Sequence, residues 1–336
     1  MAKDTISILG AGIVGLWQAL MFAKAGYDVH LLEKDETLFA SSASRYAGAM
    51  LAPFCEEESA EAIIRDLGLR SMELWFEQDP DIIQNGSLVL ALPREQKELK
   101  RFARMTKEHV IVSKQDLDDL EPDLDNRFDA ALFYPKEAHF NPQTASQKLL
   151  TELRNYGCKT YFGPDQIIIA PNTTWHIDCR GIAAQDILKT LRAVRGERVV
   201  VRCKEINFRR PLRLLHARFP IYIVPWPDQT YMIGATVIES SDTRAMTVRS
   251  ALELLSAVYS VQPRFAEAEI MEFGAGLRPA FPDNIPKIIK DKNTLYVNGM
   301  YRHGFLLAPV LAEMTVNYVE SGQMHPEIFI ADYFER

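Results

Sequence analysis

The chain opens on a short apolar, β-rich run, ISIL at 6–9, that stops at a glycine. LWQALMFAKAG (16–26) then repeats its apolar positions at helical spacing and closes on Gly26, a C-cap position. YDVHLLE (27–33) reads as a second strand and ends on an acid, Glu33. TLFASSASRYAGAMLAP (37–53) is a small-residue loop, suited to close approach of its backbone to a bulky ligand, and 56–84 read as a helix pair with acidic patches. From 86 to 140 strand and helix patterns alternate, and Asn141–Pro142 then start an amphipathic helix as N-cap and N1. After Leu191 the pattern turns β-rich until a helix at 246–263; FGAGLRPAFPDNIPKI, the strand TLYVNG and YRHGFLLAPVLAEMTVNYVESG follow. That last unit reads as a second strand–glycine–helix turn. The fold class expected is α/β, α+β overall, with a Rossmann-like domain at its start.

The first turn carries the first chemistry. Gly10, Gly12 and Gly15 form GxGxxG between a strand and a helix, and Glu33 follows Gly15 by eighteen residues. Gly10 permits the tight turn, Gly12 lets a pyrophosphate approach the backbone, and Gly15 lets helix and strand pack closely; Glu33 can accept hydrogen bonds from ribose hydroxyls. The motif alone does not separate NAD from FAD. Its place at the N-terminus leans towards FAD, and the acid disfavours NADP.

Composition narrows the partners. The 336 residues suffice for two domains, and a net charge of −7 with no long basic block argues against nucleic acid and anionic membrane. Cys55, Cys158, Cys179 and Cys203 are scattered without a CxxC pair, so buried free thiols in a reducing compartment are expected, and no metal site. Lys3 before an apolar run mimics a signal peptide, but Asp4 interrupts it and the run continues into Glu33 and Lys34. No window reaches the ~20 apolar residues of a membrane helix. The expected location is the cytoplasm. No Ser-His-Asp or Cys-His arrangement stands out, and His139, His176 and His216 read as structural.

GAGIVG, SSASRYAGAMLAP, DCRG, VRGE, YIVP followed by IGATVIE, GLRPAFPDNIP and YRHGFLLAP occur in this order over nearly the whole chain. Together they resemble the glycine oxidase and D-amino-acid oxidase family of flavoenzymes. The resemblance implies FAD, held non-covalently. The last cysteine is Cys203 and no histidine lies between His30 and His109, so the usual attachment points are missing. It places the adenosine and pyrophosphate on Gly10, Gly12, Ile13, Val14, Gly15, Glu33, Lys34, Ser41 and Ser42, with Gly181 of DCRG nearby. It places the flavin ring against Gly48, Ala49 and Met50 and against Met300, Tyr301, Arg302, His303, Gly304 and Phe305. Arg278 would grip the substrate carboxylate, Tyr222 would help hold it, and Arg302 would be a second arginine at the site.

The same resemblance implies two interleaved domains: 1–85, 141–210 and 266–336 for FAD, 86–140 and 211–265 as a mixed-sheet substrate domain. The implied reaction oxidises glycine or another small amine or D-amino acid to the imine, then to the 2-oxo acid and ammonia. Dioxygen is reduced to hydrogen peroxide, and the imine is either hydrolysed in this way or captured for thiamine thiazole assembly. A homo-oligomer is implied as well. Two other readings stay open: a D-amino-acid dehydrogenase passing electrons to a quinone or carrier, and a flavin-binding scaffold without turnover. Departures bear on the pocket. Val237 stands where a methionine is common after GAT, Pro225–Pro227 reads PWP, and the stretch between Gly163 and Gly181 is short.

Overall fold

The computed structural model describes residues 4–79, 81–166, 173–216, 220–331 and 333–335. Strand β1 (Thr5–Leu9), helix α1 (Ile13–Lys24) and strand β2 (Asp28–Glu33) form the expected opening unit, with β1 and β2 parallel from Thr5↔Asp28 to Leu9↔Leu32. Gly26, at φ +89°, stands one residue beyond the Ala25 C-cap, where a left-handed backbone favours glycine.

These strands belong to a seven-stranded sheet. β1 sits inside it, flanked by β2 and by the parallel strand Thr173–Asp178, which in turn pairs with Thr294–Asn298. Strands buried on both faces need apolar side chains on both, which is why ISIL and HLLE read as runs rather than alternations. α1 packs on this sheet beside helices Pro142–Asn155 and Gly304–Ser321. Asn141 caps the first of these as expected, its side chain accepting from the N–H groups of Gln143 and Thr144.

The helix Gly304–Ser321 contains Pro309, which cannot donate to the carbonyl of Phe305 four residues earlier. Trp75 Nε1 takes that carbonyl instead, at 2.7 Å. Trp75 is fully buried, edge-on to Trp17 at 4.8 Å, and stacks near Phe140 and Phe305. Burial of such a ring stabilises by roughly 2–3 kcal/mol, beyond the hydrogen bond. The contact ties helix Ala62–Gln78 to the helix that follows YRHG, and so fixes that segment in place.

The second sheet has nine strands, with its own core around Leu88, Val199, Ile223, Ile233 and Leu254. Strands Arg192–Arg202 and Glu269–Ala280 pair antiparallel with each other along eleven positions and lie in this sheet. The β-rich pattern located the strands, but pairing across some eighty residues leaves no trace in local periodicity. The expected helix pair at 56–84 is a short turn, Pro53–Glu56, and one helix, Ala62–Gln78. The helix stops at Asp79, which is extended (φ −135°, ψ 101°) because the next residue in the sequence is a proline. All four cysteines are buried and unpaired. Among the described residues no helix is long and apolar enough to cross a membrane, and no metal-ligand cluster forms.

Candidate active site

A cleft of about 830 Å³ opens where the C-terminal ends of β1 and β2 face the second sheet, in the upper part of the ~300–1,000 Å³ range of ligand sites. Its two ends differ in construction.

At the nucleotide end the backbone does the shaping. Gly10 has φ +94°, and a Cβ there would meet the Cys179 carbonyl oxygen at 2.8 Å. A Cβ on Gly15 would overlap the Gly10 carbonyl oxygen at 1.8 Å, so Gly15 packs α1 onto β1 and does not itself line the cleft. A Cβ on Gly12 would press on Ser42 Oγ at 3.1 Å, narrowing the gap between the helix start and the serine loop. Ile13 N–H donates to Ser44 Oγ at 3.1 Å, and Ala11 N–H donates to Glu33 Oε2 at 2.6 Å. Strand, glycine cradle, helix start and terminal acid form the arrangement a dinucleotide requires. Ile13, Val14, Lys34, Ser41, Ser42 and Gly181 line this end together with Gly10, Gly12 and Glu33.

In the middle, Gly48, Ala49 and Met50 form one wall, and Met300, Tyr301, His303, Gly304 and Phe305 another. Tyr301 takes a left-handed backbone (φ 48°) that turns the chain into the last helix, and its N–H donates to Pro279 O at 2.8 Å. Met232 lines the cleft from the second sheet, whereas Val237, expected in the pocket, is half exposed and outside the lining.

The far end is built from side chains. Arg278, on strand Glu269–Ala280, lies flat against Gly196 of the neighbouring strand, where any Cβ would overlap its guanidinium at 2.2 Å. Its Nη1 donates to Thr236 O at 3.0 Å. No carboxylate among the described residues forms an ion pair with it, and burial pulls its pKa down, opposed by Tyr301 and Glu56. It stays charged, because a guanidinium does not deprotonate in proteins. Arg302 instead pairs with Glu56 Oε1 at 3.3 Å and donates to the Tyr222 hydroxyl, which is itself 3.4 Å from Glu56 Oε1. The three residues expected to handle substrate are thus brought to one end.

Glu56 went unnoticed in the sequence, as the first acid of the solvated-looking run EEE. It is buried on the cleft wall, with Oε2 lacking any hydrogen-bond partner among the described residues. Burial pushes its carboxyl up, but Arg302, His303 and Arg213 outweigh that and hold it at about 2. Burial lowers His303 to about 4, so at neutral pH His303 is uncharged and the two guanidiniums keep Glu56 ionised. Tyr46 and Ser44 were likewise missed, within a loop whose composition suggested only close packing.

The glycine cradle between the seven- and nine-stranded sheets, with a buried arginine at the far end of the cleft, defines the class: a dinucleotide-binding redox protein. The chain belongs to the FAD dependent oxidoreductase family, whose profile matches residues 5–318, and its cofactor is FAD. It is 42% identical over 96% of its length, and 98% of the relative's, to the putative thiamine biosynthesis oxidoreductase ThiO of Rhizobium etli. Its fold is similar to that of the glycine oxidase from Bacillus cereus, with a TM-score of 0.81 at 20% identity over 96% of each chain. It is similar also to L-proline dehydrogenase from P. horikoshii, with a TM-score of 0.78 at 20% identity over 96% of this chain and 95% of that one.

Proposed function

We propose that this enzyme oxidises glycine, or another small primary or secondary amine bearing a carboxylate, to the corresponding imine, with dioxygen as the final acceptor and hydrogen peroxide as product. Bound FAD supplies the two-electron acceptor for the Cα–H bond. The observation that carries the reading is Arg278, a cleft guanidinium that pairs with no carboxylate among the described residues, its Nη1 donating to Thr236 O and its plane filling the space a Cβ on Gly196 would need. A planar fork receives a carboxylate bidentately, which fixes the Cα of a short substrate and aims its hydrogen.

Tyr222 adds a hydroxyl beside that carboxylate. The positive field of Arg278 favours loss of a proton from the substrate ammonium, so the amine can react neutral without a dedicated strong base. Glu56, held at about 2, is too acidic to serve as that base. Water then converts the released imine to the 2-oxo acid and ammonia. The Rhizobium etli relative supports a place in thiamine biosynthesis. The four unpaired, buried thiols support a reducing compartment, the cytoplasm.

The test is anaerobic mixing of the yellow holoenzyme with glycine, sarcosine, D-alanine and D-proline, followed at the visible flavin band, with air then admitted and peroxide assayed. Bleaching and peroxide are expected. Bleaching without peroxide would make the enzyme a dehydrogenase, and no bleaching by any of the four would remove the small-amine assignment.

A further inference from the structure

The substrate end holds two guanidiniums, yet it does not offer two anion sites. Arg278 forms no ion pair with any described carboxylate. Arg302 is occupied: its Nη2 lies 3.3 Å from Glu56 Oε1 and donates to the Tyr222 hydroxyl. The nearby Arg213 is spent as well, donating to Cys55 O at 3.2 Å and facing Glu58 at 3.4 Å, with its guanidinium over the Phe102 ring.

Glu56 is therefore the group that decides how many negative charges the pocket accepts. It lies in the field of both cleft arginines, it is 9% exposed, and its Oε2 has no hydrogen-bond donor among the described residues, His303 Nδ1 standing 3.6 Å away. A second carboxylate entering beside Arg302 would come within the field of this fixed anion, which already holds the guanidinium at 3.3 Å, and like charges at close range in a desolvated pocket repel strongly. Exclusion by a built-in like charge selects between substrates that shape alone would not separate.

We propose that Glu56 is a specificity-determining residue: by neutralising Arg302 it restricts the pocket to amines with a single carboxylate and excludes dicarboxylates of similar length. This rests on the reading of the cleft as an amine-oxidising site, and in particular on Arg278 as the carboxylate anchor. A bland alternative exists, in which Glu56 merely braces Arg302 and Tyr222. Bracing would affect every substrate alike and leave the ratio between mono- and dicarboxylates untouched.

Two matched pairs separate these outcomes. Sarcosine and iminodiacetate differ by one carboxylate, as do the unreactive ethers methoxyacetate and diglycolate. Perturbation of the visible flavin band by the ethers reads binding without turnover. In the wild type, methoxyacetate should bind at least roughly tenfold more tightly than diglycolate. In Glu56→Gln, with FAD content and Tm confirming a folded holoenzyme, the preference should shift towards diglycolate by on the order of a hundredfold. The ratio of kcat/KM for iminodiacetate over sarcosine should move with it. Glu313→Gln, which pairs with Arg70 outside the cleft lining, should leave both ratios at their wild-type values.

Equal wild-type binding of the two ethers would overturn the proposal, and this titration decides even where Glu56→Gln does not fold. A folded Glu56→Gln with wild-type ratios would overturn it too, as would a shift of equal size in Glu313→Gln. Failure of the oxidase reading looks different: sarcosine and glycine would not bleach the flavin, while the ether titrations would still report the charge selection.

Discussion

The two ends of the cleft are made by different means. The nucleotide end comes almost entirely from one continuous stretch, β1 through the serine loop, and its shape depends on what is missing: three side chains at Gly10, Gly12 and Gly15. The substrate end draws Glu56, Gly196, Tyr222, Arg278 and Arg302 from well separated segments, and depends on charges that are present. A backbone cradle tolerates no added atom. A charged pocket tolerates many substitutions in volume but few in sign. Damage at the first end should therefore remove the cofactor, and damage at the second should spare it.

The largest effect expected is from Gly15→Ala. The new methyl carbon would sit 1.8 Å from the Gly10 carbonyl oxygen, backbone that cannot yield without moving β1 against α1. The variant should lose upwards of ~3 kcal/mol of stability and purify largely without FAD. The ratio of visible to ultraviolet absorbance and the Tm measure both. Arg278→Ala comes next. It should retain FAD and a near-normal Tm while kcat/KM for glycine falls roughly 10³-fold. Loss of FAD in Arg278→Ala would erase the distinction between the ends.

A third effect concerns the support behind the substrate end. Glu137 is fully buried, accepting from Cys55 N–H at 2.8 Å and from the Ser87 hydroxyl, and burial raises it to about 7. A carboxyl raised in the folded state stabilises fully below its unfolded value near 4.5, and that stability is lost as pH rises through about 7. The wild type should therefore lose up to ~3 kcal/mol between pH 5 and 8, and Glu137→Gln should flatten that slope. Glu56 has the opposite sign. Held at about 2, it stabilises above its unfolded value and loses that contribution as pH falls through 2, outside this window. The smallest effect is from Tyr222→Phe, which removes one hydroxyl from a cluster whose charges remain. Glycine kcat/KM should fall by about tenfold with FAD binding unchanged.

The contrast between the ends also explains what the sequence made legible. GxGxxG and Glu33 could be read because strand, turn, helix and acid are consecutive, so spacing encodes geometry. Arg278, Tyr222 and Arg302 were reachable only through resemblance, since nothing local marks one arginine or tyrosine among many. Glu56 was lost in EEE because burial depends on Arg302 and Arg213, which lie 246 and 157 positions further along the chain. The pairing of Arg192–Arg202 with Glu269–Ala280 was hidden for the same reason. Val237 failed in the other direction: a family position implied a pocket residue, while strand Thr230–Gly234 presents Met232 to the cleft instead.

The central claim is that Arg278 holds the carboxylate of a small amine over the cofactor. Its most direct test is anaerobic reduction by glycine of the wild type and of Arg278→Ala, at matched FAD content. The account predicts rapid bleaching in the wild type and, in the variant, bleaching slowed roughly 10³-fold and without saturation in glycine. Equal rates in the two proteins, or a wild-type flavin that glycine leaves oxidised, would contradict it.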